Sequence, residues 1–156
     1  MIVFFDIHGI VNLHWVPEGQ TVNQHYYINV LSELRERLRK KRPELWKEKS
    51  WVLHHDNAPA HSALSVKKFL AKYSIPVLEH PAYSPDLALC DFYLFPKVKS
   101  ALIGTRFESV EDVKKKAARL LKDLTEQDFQ HCFQQWKIRM ERCRDRDGVY
   151  IEGDNN

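Results

Sequence analysis

Trp51-Val-Leu-His-His-Asp-Asn57 decides the fold. Its apolar start reads as a short strand, and Val52 beside Leu53 reads as a strand covered on both faces. Asp56 then sits at the strand's C-terminal end, where α/β sheets place their sites. Pro59, three residues on, suits the first turn of a helix. A second carboxylate, Asp91, closes Tyr83-Ser-Pro-Asp-Leu-Ala-Leu-Cys-Asp91, which reads as a turn leading into a helix. Between the two aspartates lie 34 residues. Brought together, two such carboxylates make a hard oxygen site for Mg²⁺ or Mn²⁺. Such a site serves phosphodiester chemistry by two metal ions. It wants a third carboxylate from another strand, and no residue of the chain stands out for that place.

Working outward, Ile2 to Phe5 and Ile10 to Val16 read as two strands joined by a turn, with Gly9 available for positive φ. Asn23 is an N-cap for a helix to Lys41, ended by Pro43. Tyr27, Val30, Leu31, Leu34 and Leu38 form its buried stripe. The helix from Pro59 runs to Tyr73, with Val66, Phe69 and Leu70 inward. Ile75 to Leu78 is a short strand, and Pro81 to Pro85 a rigid loop. Asp91, Leu94, Phe95, Val98 and Leu102 share a helical stripe that Pro96 should kink or restart. Ser109 and Thr125 each open a helix, the second carrying Phe129, Phe133, Trp136 and Met140 at core spacing. Gly148 to Glu152 reads as a short closing strand, and residues 153–156 should fray. The order β-β-α-β-α-β-α-α-α predicts an α/β fold with a mixed sheet.

The chain has 156 residues, enough for one domain with a core. Its 44% hydrophobic and 29% charged residues exclude a disordered chain. A net charge of +3 proves no nucleic-acid binding. Its distribution is more pointed, for Arg35-Glu-Arg-Leu-Arg-Lys-Lys-Arg42 is a dense basic run. That run is either a solvated helix end, a phosphate-contacting surface or a nuclear-import signal. Three scattered cysteines, Cys90, Cys132 and Cys143, match no zinc module or disulfide framework and point to a reducing compartment. No apolar run reaches the ~18 residues that span a membrane.

Locally, Asp56 is either a metal ligand or a cap for the next helix, a task Asn57 could also perform. Asp91 sits on the stripe that should face the core, where a carboxylate needs a cation, an Arg or Lys, or backbone donors. His54, His55 and His61 surround Asp56. They serve either zinc or, more simply, hydrogen bonds to a carboxylate or phosphate. Lys97, Lys99 and Arg106 follow Asp91 and either face DNA or lie in solvent. Asp86 should cap the helix after it.

His55-Asp-Asn-Ala-Pro-Ala-His61 and Tyr83-Ser-Pro-Asp-Leu-Ala…Asp91-Phe, at this spacing, resemble the mariner family of DNA transposases. Phe4-Phe-Asp-Ile-His-Gly, Pro17-Glu-Gly-Gln-Thr-Val-Asn, Arg42-Pro-Glu-Leu and Gly148-Val-Tyr-Ile-Glu carry the resemblance over essentially the whole chain. It implies an RNase H-like mixed sheet flanked by helices, and cleavage and integration of DNA at transposon ends. It implies two Mg²⁺ ions (or Mn²⁺, weakly bound here) on three aspartates. Asp56 and Asp91 match the second and third of these, as catalytic residues and metal ligands. His55, Asn57, His61, Lys97, Lys99 and Arg106 become candidates for DNA contact. A nuclear location follows, with the cytoplasm as the alternative.

The departures shape the rest of the expectation. The family's first aspartate lies on a strand upstream of Phe4-Phe-Asp6, and this chain begins at what would be the second strand. Residues 1–156 then form one truncated, incomplete domain without its first strand and without the helix-turn-helix region that binds transposon ends. Asp6 matches a family position that is not catalytic. Such a chain should be inactive alone, or serve as a transposon-derived DNA-binding or protein-interaction module. It should also pair with a second copy, unless Gly148 to Glu152 fills the gap.

Overall fold

The computed structural model describes residues 1–81 and 84–145. The described residues pack as two separate units: 1–5 with 11–81, and 6–10 with 84–145. The expected closing strand at 148–152 and the terminal residues 153–156 lie outside the described residues, as does Tyr83.

The first unit is built on a helix. Strands β1 (Ile2–Asp6) and β2 (Gly9–His14) form the expected hairpin. Helix α1 (Gln24–Lys41) starts at Asn23, whose side-chain oxygen accepts from Tyr26 N–H at 2.9 Å. Its whole expected stripe, Tyr27, Val30, Leu31, Leu34 and Leu38, is buried. Pro43 does end α1, but it also opens a short helix α2 (Pro43–Glu48) that the sequence reading did not anticipate. Proline suits a first helical turn because its missing N–H has no partner there anyway.

Strand β3 shrinks to Leu53–His54 and pairs in parallel with β4 (Val77–Leu78), with Leu53 opposite Val77 and His54 opposite Leu78. The expectation that this strand is covered on both faces fails: Val52 is 58% exposed, and Val77 and Leu78 are also exposed. Leu53 joins the core of Val11, Tyr27, Leu31, Leu34, Leu38, Val66, Leu70 and Ile75, and half-buried Trp51 packs against it. The helix from Pro59 is broken at Ala63, whose extended backbone (φ −62°, ψ 147°) separates α3 (Pro59–Ser62) from α4 (Leu64–Lys72). The strands therefore form two small sheets among the described residues, a hairpin and a parallel pair, and not one mixed sheet.

The second unit is helical. A 3₁₀ turn spans Pro85–Leu87, and a π turn spans Cys90–Leu94 before α5 (Phe95–Leu102). Helix α6 (Val110–Asp123) is capped by Ser109, which accepts from Asp112 N–H at 3.2 Å. Helix α7 (Glu126–Asp145) opens on a reciprocal cap: Thr125 N–H donates to Asp128 at 2.8 Å, and Asp128 N–H donates to Thr125 Oγ1 at 3.2 Å. Leu87, Leu94, Val98, Ala117, Leu121, Phe129 and Cys132 are buried here. The hairpin turn belongs to this unit as well. Asp6 Oδ1 accepts from His8 N–H and Gly9 N–H, and Gly9 has φ +134° with the Phe129 ring 3.8 Å from where a Cβ would stand. Asp6 thus shapes a turn.

Pro96 stands in the first turn of α5, which begins at Phe95, so the α-helix restarts at the proline as expected. It stands just after the π turn, where Phe95 N–H bonds to Cys90 C=O. A proline ring clashes with the carbonyl four residues back. Widening the turn before it by one residue relieves that clash and lets the α-helix resume.

Candidate carboxylate site and its histidines

In the first unit, Asp56 stands two residues beyond β3, on the loop to α3. Its Oδ1 accepts from Ala58 N–H at 3.1 Å, closing an Asx turn that aims the chain into Pro59. The cap of α3 is Ala58, with no side-chain bond, so neither Asp56 nor Asn57 caps the helix directly. Asn57 instead donates from Nδ2 to His80 C=O at 2.7 Å and ties the Asp56 loop to the segment after β4.

His61 Nδ1 lies 2.7 Å from the same Asp56 Oδ1. The contact is close but poorly aligned with the ring N–H direction. The His61 ring is the main reason that the Asp56 carboxyl falls to about 2, with Ala58 N–H adding to it against the opposing effect of burial. Asp56 is therefore an anion at any physiological pH. Among the described residues both contacts fall on Oδ1, which leaves Oδ2 for another partner.

Tyr27 organises the ring cluster. Its ring stacks on His61 at 4.0 Å between centroids, and His61 stacks on His55 at 5.2 Å and 7°. Its hydroxyl bonds His55 Nδ1 at 2.8 Å. Burial pushes the Tyr27 phenol up, so it keeps its proton. Burial and the neighbouring His61 push His55 down to about 4, so its imidazole is neutral at neutral pH. A second pair lies alongside. His54 Nδ1 faces the Leu78 carbonyl at 3.1 Å and must donate to it. His54 Nε2 is then an acceptor, and His80 Nδ1 donates to it at 3.3 Å. Burial lowers the His54 pKa. The zinc alternative finds no support, since no three His, Cys, Asp or Glu side chains converge on a metal position among the described residues.

In the second unit, Asp91 lies on the π turn and is exposed. This corrects its expected place on the buried stripe. Leu94 and Val98 are buried as expected, but the wide turn rotates Asp91 off their line. The loop before it is held from α7. Trp136 Nε1 donates to Leu87 C=O at 2.9 Å, and Arg139 donates to Asp86 C=O at 3.2 Å. The Arg139 guanidinium also lies 4.4 Å over the Phe92 ring, and Tyr93 donates to Asp128 C=O at 2.8 Å. These contacts grip residues on both sides of Asp91. Asp86 is buried in the 3₁₀ turn, and the helical segment after it carries no side-chain cap. Lys97 and Lys99 are exposed on α5, two residues apart and so on different faces, with Lys97 lying 4.9 Å over Tyr93. Arg106 is exposed beyond the end of α5.

The structure thus brings His55, Asp56, Asn57 and His61 together in one unit, and sets Asp91, Lys97, Lys99 and Arg106 in the other. Tyr27, His80, Trp136 and Arg139 escaped the sequence reading as site residues. Tyr27 and Trp136 were legible only as core positions, and no local signal linked Arg139 to a loop 53 residues away.

A carboxylate just past a strand end stands where α/β folds place their sites, and comparison with known proteins says which kind of domain this resembles. Residues 1–48 match the model of the family described as transposase (partial DDE domain). The Mos1 transposase catalytic domain, solved with raltegravir and Mg, superimposes with a TM-score of 0.88 at 34% identity, covering 96% of this chain and 75% of that one. A counterpart with Mn gives the same score. The Mos1 paired-end complex with the left transposon end matches at TM-score 0.88 and 35% identity, over 96% of this chain and 44% of that one. In sequence, the chain is 36% identical over 151 residues to the mariner Mos1 transposase of Drosophila mauritiana. It is 25% identical over 150 residues to the histone-lysine N-methyltransferase SETMAR of Homo sapiens. The chain spans 44% of the length of the first and 22% of the second. It belongs to the mariner transposase family and is a homologue of the Mos1 catalytic domain.

Proposed function

We propose that this chain is the working face of a mariner-type DNA strand-transfer enzyme, with Asp56 and Asp91 as two of its metal-binding carboxylates. The observation that carries this reading is Asp56: an anion with Oδ2 uncommitted, just past a strand end, in a chain that matches the Mos1 catalytic domain at 34% identity. Ionised carboxylate oxygens suit Mg²⁺ or Mn²⁺. Such ions, when bound, activate an attacking oxygen and neutralise charge at phosphorus. The chain's own residues do the positioning. Ala58 N–H and His61 fix the Asp56 carboxylate, Asn57 anchors its loop, and Trp136 with Arg139 hold the turn that carries Asp91. Neutral His55, half-buried His61 and exposed Asn57, Lys97, Lys99 and Arg106 are proposed to line DNA, with the nucleus as the place of action.

The described residues assemble no three-ligand cluster, and we propose that a further carboxylate must join before strands are cut. Calorimetry with Mn²⁺ tests the ligands. Weak binding that Asp56→Asn and Asp91→Asn each weaken supports the assignment, and unchanged binding in both refutes it. Incubating the chain with end-bearing duplex and Mn²⁺ tests completeness. Cleavage that Asp91→Ala abolishes would show that the chain completes its own site.

A second reading has its own support. The SETMAR match covers 22% of a protein named for a different reaction, so a domain of this kind can sit within a protein of another activity. On that reading the chain is a transposon-derived module that binds DNA or protein, pairing with a second copy, without cutting. DNA binding that persists in the Asp56→Asn/Asp91→Asn double variant, with no cleavage by wild type under any added segment, would favour it.

A further inference from the structure

We propose that His80 is a positioning residue for Asp56, acting through His54 and Asn57 to fix where the carboxylate loop leaves β3. This deepens the metal-carboxylate reading above and rests on it for its purpose. His80 is 8% exposed, although residues 76–79 before it are all exposed. An imidazole taken out of water needs partners for its polar atoms. Its Nδ1 donates to His54 Nε2 at 3.3 Å, and the two ring centroids stand 5.3 Å apart. His54 accepts there because its own Nδ1 donates to Leu78 C=O at 3.1 Å. The His80 main chain makes a third bond, its C=O accepting from Asn57 Nδ2 at 2.7 Å.

Order along the chain gives these bonds their meaning. The β3–β4 ladder ends where His54 faces Leu78, and Asp56 lies two residues past it. Beyond the ladder, side chains carry on the linkage between the two segments. Asp56 lies between His54 and Asn57, the two residues through which His80 holds that stretch. With both anchored, the backbone between them has little room to turn, because each residue advances the chain by no more than about 3.6 Å. The bond from Ala58 N–H and the His61 contact then orient a carboxylate whose backbone is already placed. No hydrogen bond joins His80 to Asp56 among the described residues, so its influence passes through these two neighbours.

Two measurements on the whole chain test this, one of them without metal. Ala58 N–H donates to Asp56 Oδ1, so its hydrogen exchange reports the Asp56 turn. His80→Phe keeps a ring in the buried place but removes the donor. It should speed Ala58 exchange about fivefold or more and leave the amides of Val30, Leu31 and Leu34 in α1 unchanged. His80→Asn, whose amide nitrogen stands near the place of Nδ1, should bring Ala58 back to within about twofold of wild type. Asn57→Ala cuts the third bond at an exposed residue, should act as His80→Phe does, and carries the test if His80→Phe does not fold. Calorimetry with Mn²⁺ reads the consequence: affinity should fall about tenfold in His80→Phe and recover in His80→Asn. Unchanged Ala58 exchange in His80→Phe and Asn57→Ala overturns the assignment. So does an equal rise at Ala58 and in α1, which would make His80 a general support of the fold. Failure of His80→Asn to rescue overturns it too, as does Mn²⁺ affinity that ignores a local rise at Ala58. Absence of Mn²⁺ binding in wild type would instead sink the metal reading, and Ala58 exchange would still decide whether His80 holds the Asp56 turn.

Discussion

At the scale of single residues, the Asp56–His61 contact makes a definite pH prediction. The folded pKa of Asp56, about 2, lies below its ordinary 3.8. A depressed carboxyl contributes stability that is complete above the unfolded value. The contribution is lost as pH falls through the window from 3.8 to about 2. Its size is small, because the side chain is 45% exposed and screened by water. His61→Asn should raise the Asp56 pKa toward 3.8, read by carboxyl-carbon NMR titration; an unmoved value would show that Ala58 N–H alone holds it. The Tyr27 hydroxyl is tested in the same way. Tyr27→Phe keeps the buried ring and its stack on His61 but leaves His55 Nδ1 without its partner, and should cost about 1–2 kcal/mol in urea denaturation. None of this ring chemistry could be read from the histidines alone, because Tyr27 lies 28 residues away from His55 on another element.

Among the elements, legibility followed locality. The α1 stripe, the Asn23 and Ser109 caps and the hairpin all follow from neighbours within a few residues, and all appear where the sequence puts them. Asn23→Ala should accordingly cost about 1 kcal/mol of stability, measured by thermal or urea unfolding. Apolar Trp51 and Val52 suggest a longer strand covered on both faces, but Trp51 packs on the core from outside the strand and Val52 is exposed. Asp91 was misplaced because helical counting assumes 3.6 residues per turn, and a proline-driven π turn breaks that count. The α7 clamp, which depends on contacts 49 and 53 residues apart, was invisible. Its removal should loosen one loop selectively. Arg139→Ala with Trp136→Phe should speed amide hydrogen exchange at residues 87–93 while leaving the α1 amides unchanged, and a uniform increase would instead mean general destabilisation.

For the whole molecule, ligand linkage offers a test that requires no turnover. If Asp56 is a metal ligand, Mn²⁺ binds the folded chain in preference to the unfolded one and must raise its Tm. The rise should grow with Mn²⁺ concentration in wild type and vanish in Asp56→Asn; the same rise in both would put the ion elsewhere. What the sequence reading grasped at this scale was the family, because two motifs at a set spacing survive where sheet pairing and turn geometry cannot be counted. The π turn at Cys90–Leu94 adds a consequence for how such a domain can fail. A wide turn is a helix holding one residue more than its ladder needs. Deleting a single residue there leaves an ordinary helix, well formed and well packed downstream. Everything upstream of the deletion would swing by about 100°, and Asp91 with it. The product would pass every assay of foldedness while its carboxylate faced the wrong way, a sound machine with its tool turned round.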